Sequence, residues 1–215
     1  ANLITAFTDT AAHTGTLLVS NTDIVFAADL KLIDTFSSSD IIVSSASEIS
    51  GSAADIIAVI DGNVTLSLAV NITITGAAPT IEDLATINAA TSGAVVVSST
   101  TNAATFIDTA ANLAAAYDGI TTLTSTLTIT GTDPATIAEL MTINAATSGT
   151  VVLNPQTIAA NLSDTAVNLA TAFDGITTST STLTITGTDA ATVAELMTIN
   201  AATSVPVVLN AATIA

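Results

Sequence analysis

The feature that most constrains this chain is that it repeats itself. Residues 126–147 read TLTITGTDPATIAELMTINAAT and residues 182–203 read TLTITGTDAATVAELMTINAAT, so 20 of 22 positions agree. Only Pro134/Ala190 and Ile137/Val193 differ. The same offset of 56 relates DTAANLAAAYDGI (108–120) to DTAVNLATAFDGI (164–176). A more diverged copy holds GSAADIIAVIDGN (51–63), NITITG (71–76) and TINAATSGAVVV (86–97). Near the start, NLITAF (2–7) matches NLATAF (168–173), and Ile41-Ile42-Val43 falls where Val95-Val96-Val97 falls. The whole chain, 1–215, thus reads as one continuous array of four copies at approximately 1–50, 51–106, 107–162 and 163–215. A period of this length belongs to stacked arrays, in which each unit buries its apolar face against its neighbours.

Within a unit the periodicity changes. Thr126-Leu127-Thr128-Ile129-Thr130 alternates polar and apolar, which predicts a half-buried strand ended by Gly131. Asp133-Pro134 reads as a helix start, the carboxylate capping free N–H groups and proline pre-set for the first turn. Ile137, Leu140 and Met141 then form one apolar stripe. Val151-Val152-Leu153 predicts a second strand. A second helix, started by Asp164-Thr165, carries Leu169, Ala172 and Phe173 and closes at Asp174-Gly175 through a glycine at positive φ. Strand–helix–strand–helix gives two turns per 56-residue unit. The expected fold is therefore α/β: a solenoid of about eight strand–helix turns with a single parallel sheet. An all-β solenoid is the alternative, because threonine and valine favour strand, but the Ala- and Leu-rich helical spacing of NLAAAYDG and TIAELMTI speaks against it.

Composition narrows the function. One lysine, no arginine and a net charge of −17 exclude a nucleic-acid partner, which needs basic groups to displace counterions from phosphate. With no cysteine and one histidine, the sequence offers no thiolate site and no multi-histidine metal site. The uncharged runs at 62–81, 84–107 and 140–163 carry Asn, Thr or Ser and Gly or Pro, so no membrane span is expected. His13 lies in no nucleophile motif, and Lys31 is isolated. Glu139 and Glu195, one unit apart beside an apolar stripe, read as solvated helix positions rather than an acid–base pair. No enzyme is expected, and no cofactor beyond calcium.

The acidic residues are the one charged population large enough to carry a site. Asp61, Asp108, Asp118, Asp133, Asp164, Asp174 and Asp189 recur at helix starts and ends. Capping and turn formation is the first reading; a row of calcium ligands is the second, since carboxylates and loop carbonyls are the oxygen donors calcium takes. The pairs Thr73/Thr75, Thr128/Thr130 and Thr184/Thr186 raise an ice-binding alternative, weakened because the intervening strand reads Val151-Val152-Leu153. Asn88, Asn144 and Asn200 are equivalent, with Asp34 in the first copy, and suggest either a ladder of amides bonding the next turn or helix C-caps. The final Thr213-Ile214-Ala215 and initial Ala1-Asn2-Leu3 continue each other as Thr157-Ile158-Ala159 continues into Ala160-Asn161-Leu162. That continuity predicts either a window cut from a longer array or protomers stacked head to tail into a homopolymer.

The DTAANL/DTAVNL and TLTITGTD…TINAATSGTVVL blocks resemble repeat modules of long secreted, surface-layer-type or adhesin-like bacterial proteins, cyanobacterial ones included. The resemblance covers residues 49–215 well and 1–48 loosely. It implies an extracellular or cell-surface structural protein that builds a filament, sheath or surface layer by end-to-end stacking, often with calcium. The alternative it implies is an adhesin-type module that binds a cell-surface glycan.

Overall fold

The computed structural model describes residues 13–98, 102, 104–121 and 123–214. The chain divides into two compact units, Ala1–Thr101 and Asn102–Ala215. Both are α/β, and every strand pairing among the described residues is parallel.

In the first unit the order is β1 (Leu17–Leu18), β2 (Ile24–Phe26), α1 (Ala27–Phe36), β3 (Ile41–Val43), β4 (Glu48–Gly51), α2 (Ala53–Asp61), β5 (Val64–Leu66), β6 (Asn71–Ile74), α3 (Ile81–Ala89) and β7 (Val95–Val96). The strands form two sheets, β1-β3-β5 and β2-β4-β6-β7. Each strand lies beside the one two dozen residues on: Ile24 opposite Glu48, Glu48 opposite Asn71, Ile72 opposite Val95. This register lines up Val25, Ile49, Ile72 and Val95 as one buried row. The helices pack α1 on α2 and α2 on α3. Their buried positions are three apart, Leu30/Ile33, Ile56/Val59 and Leu84/Ile87, the spacing of a single helix face.

The second unit runs β8 (Phe106–Thr109), α4 (Ala110–Tyr117), β9 (Leu127–Thr130), α5 (Ile137–Ala146), β10 (Val151–Val152), α6 (Pro155–Ala159), β11 (Asn161–Asp164), α7 (Ala166–Ala172), β12 (Thr182–Ile185), α8 (Val193–Ala202) and α9 (Ala211–Ile214). Its sheets are β8-β9-β10 and β11-β12. Phe106 pairs with Leu127 and Leu127 with Val151; one 56-residue offset later, Leu162 pairs with Leu183. Helices pack in the order α4, α5, α7, α8.

Three expectations change. The single sheet is replaced by several, because in the first unit each step contributes two short extended segments on either side of a helix. The two equal turns per unit become two unequal strand-to-strand steps plus the short α6 connection. The strands β8 and β11 were not expected, since FIDT and NLSD lack a long run of alternating side chains and pass straight into helices. An all-β chain is excluded by the helices.

The helix starts also differ in detail. Asp133 does not cap α5: the N-cap is Thr136, whose hydroxyl accepts from Glu139 N while the Glu139 carboxylate accepts from Thr136 N at 2.8 Å. Thr192 and Glu195 form the same reciprocal box on α8. The signal was present as Thr-x-x-Glu. Glycine closes α4 and α7 as expected, Gly119 at φ 76° and Gly175 at φ 73°.

Candidate functional site

The acidic residues are dispersed, and several are already occupied. Asp108 Oδ1 accepts from Thr109 N at 2.7 Å and from Asn112 Nδ2 at 2.8 Å. Asp164 repeats this with Thr165 N at 2.7 Å and Asn168 Nδ2 at 2.8 Å. Each Asp therefore braces a helix start from the position before the N-cap, and the caps themselves are Thr109 and Thr165. Asp133 and Asp189 are exposed, and their backbone carbonyls accept from the amides of Asn154 and Asn210. Asp61 ends α2, Asp118 is the C-cap of α4, and Asp174 follows α7; all three are exposed. Among the described residues no three His, Asp or Glu side chains converge as metal ligands.

What the fold does assemble is a seam of hydroxyl and amide groups that bond from one step of the chain to the next. Thr147 is buried, and its hydroxyl donates to the Ser125 carbonyl at 2.6 Å. Thr203 does the same to Ser181 at 2.7 Å, and Ser181 to Thr157 at 2.6 Å. In the first unit Thr91 donates to Val70 at 2.5 Å. Asn154, 2% exposed, donates to the carbonyls of Gly131 and Asp133 and accepts from Thr157 N. The fully buried Thr157 then accepts from Ala135 N at 2.7 Å. Buried polar groups cost free energy unless paired, and these are paired with the backbone of the neighbouring step. Tightness at this seam explains two glycines. A β-carbon at Gly93 would overlap the Val70 carbonyl, and one at Gly149 the Ser125 carbonyl.

Of the expected amide ladder the structure shows one rung, at Asn144, whose Nδ2 donates to the carbonyls of Thr171 and Asp174, both at 3.0 Å. Asp34 takes the opposite role, accepting from Asn63 N at 3.3 Å. The bond at Asn144 is legible in the sequence; the Ser/Thr seam is not. In a chain so rich in Ser and Thr, nothing separates a buried hydroxyl from an exposed one until the steps are in register.

The threonine pairs do not form a uniform plane. Thr128 lies between Ile107 and Val152, and Thr73 between Ser50 and Val96. Lys31 is not isolated: its Nζ sits 2.8 Å from Asp55 Oδ1. That hydrogen bond, seconded by Ser52, holds the Asp55 carboxyl below its ordinary value. His13 joins Ser37 in a parallel bridge. Glu139 and Glu195 serve as capping-box carboxylates rather than as free acid and base. A surface groove of about 430 Å³ is lined by Asn144, Thr171, Asp174, Glu195 and Thr198 among others. Its Asn144 and Glu195 are committed to backbone partners. Tyr117 is fully buried with its ring edge-on to Phe106, and its hydroxyl has no partner among the described residues. Burial pushes that phenol well above its ordinary pKa. Among the described residues no helix is long and apolar enough to cross a membrane.

No family model, curated protein or solved structure matches the chain.

Proposed function

We propose that the chain is a non-enzymatic structural repeat protein. In this reading it is an α/β solenoid that works outside the cell in a filament, sheath or surface layer by end-to-end stacking. The observation that carries the reading is the seam of Ser, Thr and Asn side chains, which spends the interior polar groups on joining each step to the next. Chemistry of that kind builds a scaffold. The parallel register and the 56-residue sequence offset support the same view, because units stacked this way can be added without changing the contact. Calcium would act in this assembly by bridging exposed carboxylates such as Asp118 and Asp174, not by filling a cage within one chain.

The test is negative-stain electron microscopy with sedimentation velocity over a range of protein, salt and calcium concentrations. Concentration-dependent linear species are expected. A chain that stays monomeric under every condition removes the filament reading and leaves a surface-binding module.

A further inference from the structure

The helix layer of the second unit has a trough over α7. That helix is seven residues long and packs between two helices of ten, α5 and α8. It is short, and Ala170 lines the gap where a longer side chain would fill it. The result is the open groove of about 430 Å³. Its apolar lining is Val167, 55% exposed, with Ala145, Ala170 and Ala194.

The polar groups around this groove are unevenly spent. The side-chain donors are all in use. Asn144 Nδ2 donates to the Thr171 and Asp174 carbonyls, the Thr171 hydroxyl to the Val167 carbonyl at 2.8 Å, and the Thr198 hydroxyl to the Ala194 carbonyl at 3.3 Å. What remains is acceptors. The Asp174 carboxylate is exposed and has no partner among the described residues. Glu195 gives one oxygen to Thr192 N at 2.7 Å and keeps the other, and Asn144 keeps its Oδ1. No cation of the unit can answer them, because residues 102–215 hold eight Asp or Glu and no Lys, Arg or His. The one lysine of the chain lies in the first unit, on Asp55.

We propose that this groove takes an arginine side chain from a basic peptide segment of a partner protein. A guanidinium is all donor and no acceptor, the complement of a rim that has kept only acceptors. Its carbon stem packs on apolar surface while its head stays at the rim, which suits a lining of alanine and valine. Charge acts in the same direction, since a field of one sign draws in the opposite one and favours a basic partner over an acidic one. An ammonium is a compact, strongly hydrated point charge, so lysine fits the same groove less well. The contact needs a single copy of the chain and goes beyond the stacking reading: it gives the helix face a means of holding a second protein.

The experiment titrates the full chain with the peptide acetyl-Ala-Arg-Arg-Ala-amide at low salt and follows backbone amide shifts by NMR. Shift changes should concentrate at 144–145, 167–174 and 194–198 and fade as ionic strength rises. Asp174→Asn and Glu195→Gln should each weaken binding about threefold, the effect of one half-exposed ion pair. Glutamine keeps the capping box of α8, so the helix start survives the second change. Ala170→Leu fills the groove without altering charge and should abolish the shifts. Asp133→Asn removes the same charge outside the groove and should leave binding as it is. Melting curves check folding, and if Ala170→Leu is unfolded the two isosteric variants carry the test. Shifts spread over all the acidic positions, or an equal loss in Asp133→Asn, would mean general charge attraction and overturn the site. Equal binding of acetyl-Ala-Leu-Leu-Ala-amide overturns the cationic occupant, and no shift at all overturns the groove. None of these results bears on stacking, which sedimentation reads separately.

Discussion

The segments 126–147 and 182–203 are nearly the same peptide, yet they live in different surroundings. On α5, Leu140 is fully buried and Ile137 almost so; on α8, Leu196 is half-buried and Val193 stands 74% exposed. The contrast continues past the helices. Val151-Val152 make a two-residue ladder with β9, whereas Val208 makes a single bridge to Thr184. Leu153 is 5% exposed and Leu209 36%. One difference in sequence bears on this: Gly149, which the close Ser125 carbonyl requires, is replaced by Val205 in the later copy. Nearly identical helices with the same capping box can therefore differ in energetic worth, because burial belongs to the neighbour as much as to the peptide.

The largest expected effect breaks the equivalence directly. Leu140→Ala should cost about 2–5 kcal/mol, the range for emptying a filled core position. Leu196→Ala should cost less than half as much, because that side chain is already partly in water. Urea titration of the two variants compares them, and equal losses would mean that the two helices share one environment after all.

Exchanging the seam residue comes next. Gly149→Val should destabilise by about 1–3 kcal/mol through overpacking against the Ser125 carbonyl. It should also strip amide-exchange protection from Val151 and Val152. Val205→Gly should do the reverse at Val207 and Val208, gaining protection there, and unchanged exchange in both variants would detach the glycine from strand pairing.

Tyr117 and Phe173 offer a third comparison, since they occupy equivalent positions and only the tyrosine buries a hydroxyl without a described partner. Tyr117→Phe should stabilise by about 1 kcal/mol, and Phe173→Tyr should destabilise by a similar amount. Thermal melts decide the signs.

The smallest effect contrasts the two units. Lys31–Asp55 braces α1 against α2, and its lysine is half in solvent, so Lys31→Ala should cost no more than about 0.5 kcal/mol. The Asp55 carboxyl is held below its ordinary value near 3.8, so its contribution is present above that pH. It is lost as the pH falls through the lower folded value. The difference between wild type and variant should therefore vanish in acid and shrink with salt. A difference that grows below pH 3.8 would assign the stabilisation to another group.

Much of the local structure was legible in the sequence. The Thr126–Thr130 alternation marked β9 and Asp174-Gly175 the end of α7; of the expected α5 stripe Ile137 and Leu140 are buried, but Ile143 takes the inner place read for Met141. The helix starts were legible too, but they were read from the wrong residue: Asp133-Pro134 looks like a start, while the Thr136/Glu139 box three residues on is what satisfies the free N–H groups. Asp133 and Asp189 lie four residues ahead of α5 and α8 and cap neither. Asp108 and Asp164 do stand at helix starts, and their partners Thr109, Asn112, Thr165 and Asn168 lie within four residues, which is why that bracing role could be anticipated.

By itself the sequence determined the repeat, the helix faces, the parallel α/β class and the scarcity of basic and thiol groups, because each of these depends on residues close together or on composition. Only the tertiary structure decided which Ser and Thr become the buried seam, why Gly93 and Gly149 must lack a side chain, and where one sheet becomes several. Those outcomes depend on which residue two dozen positions away is brought alongside. A hydroxyl in water and a hydroxyl bonded to the next backbone step are the same letter until the register is set.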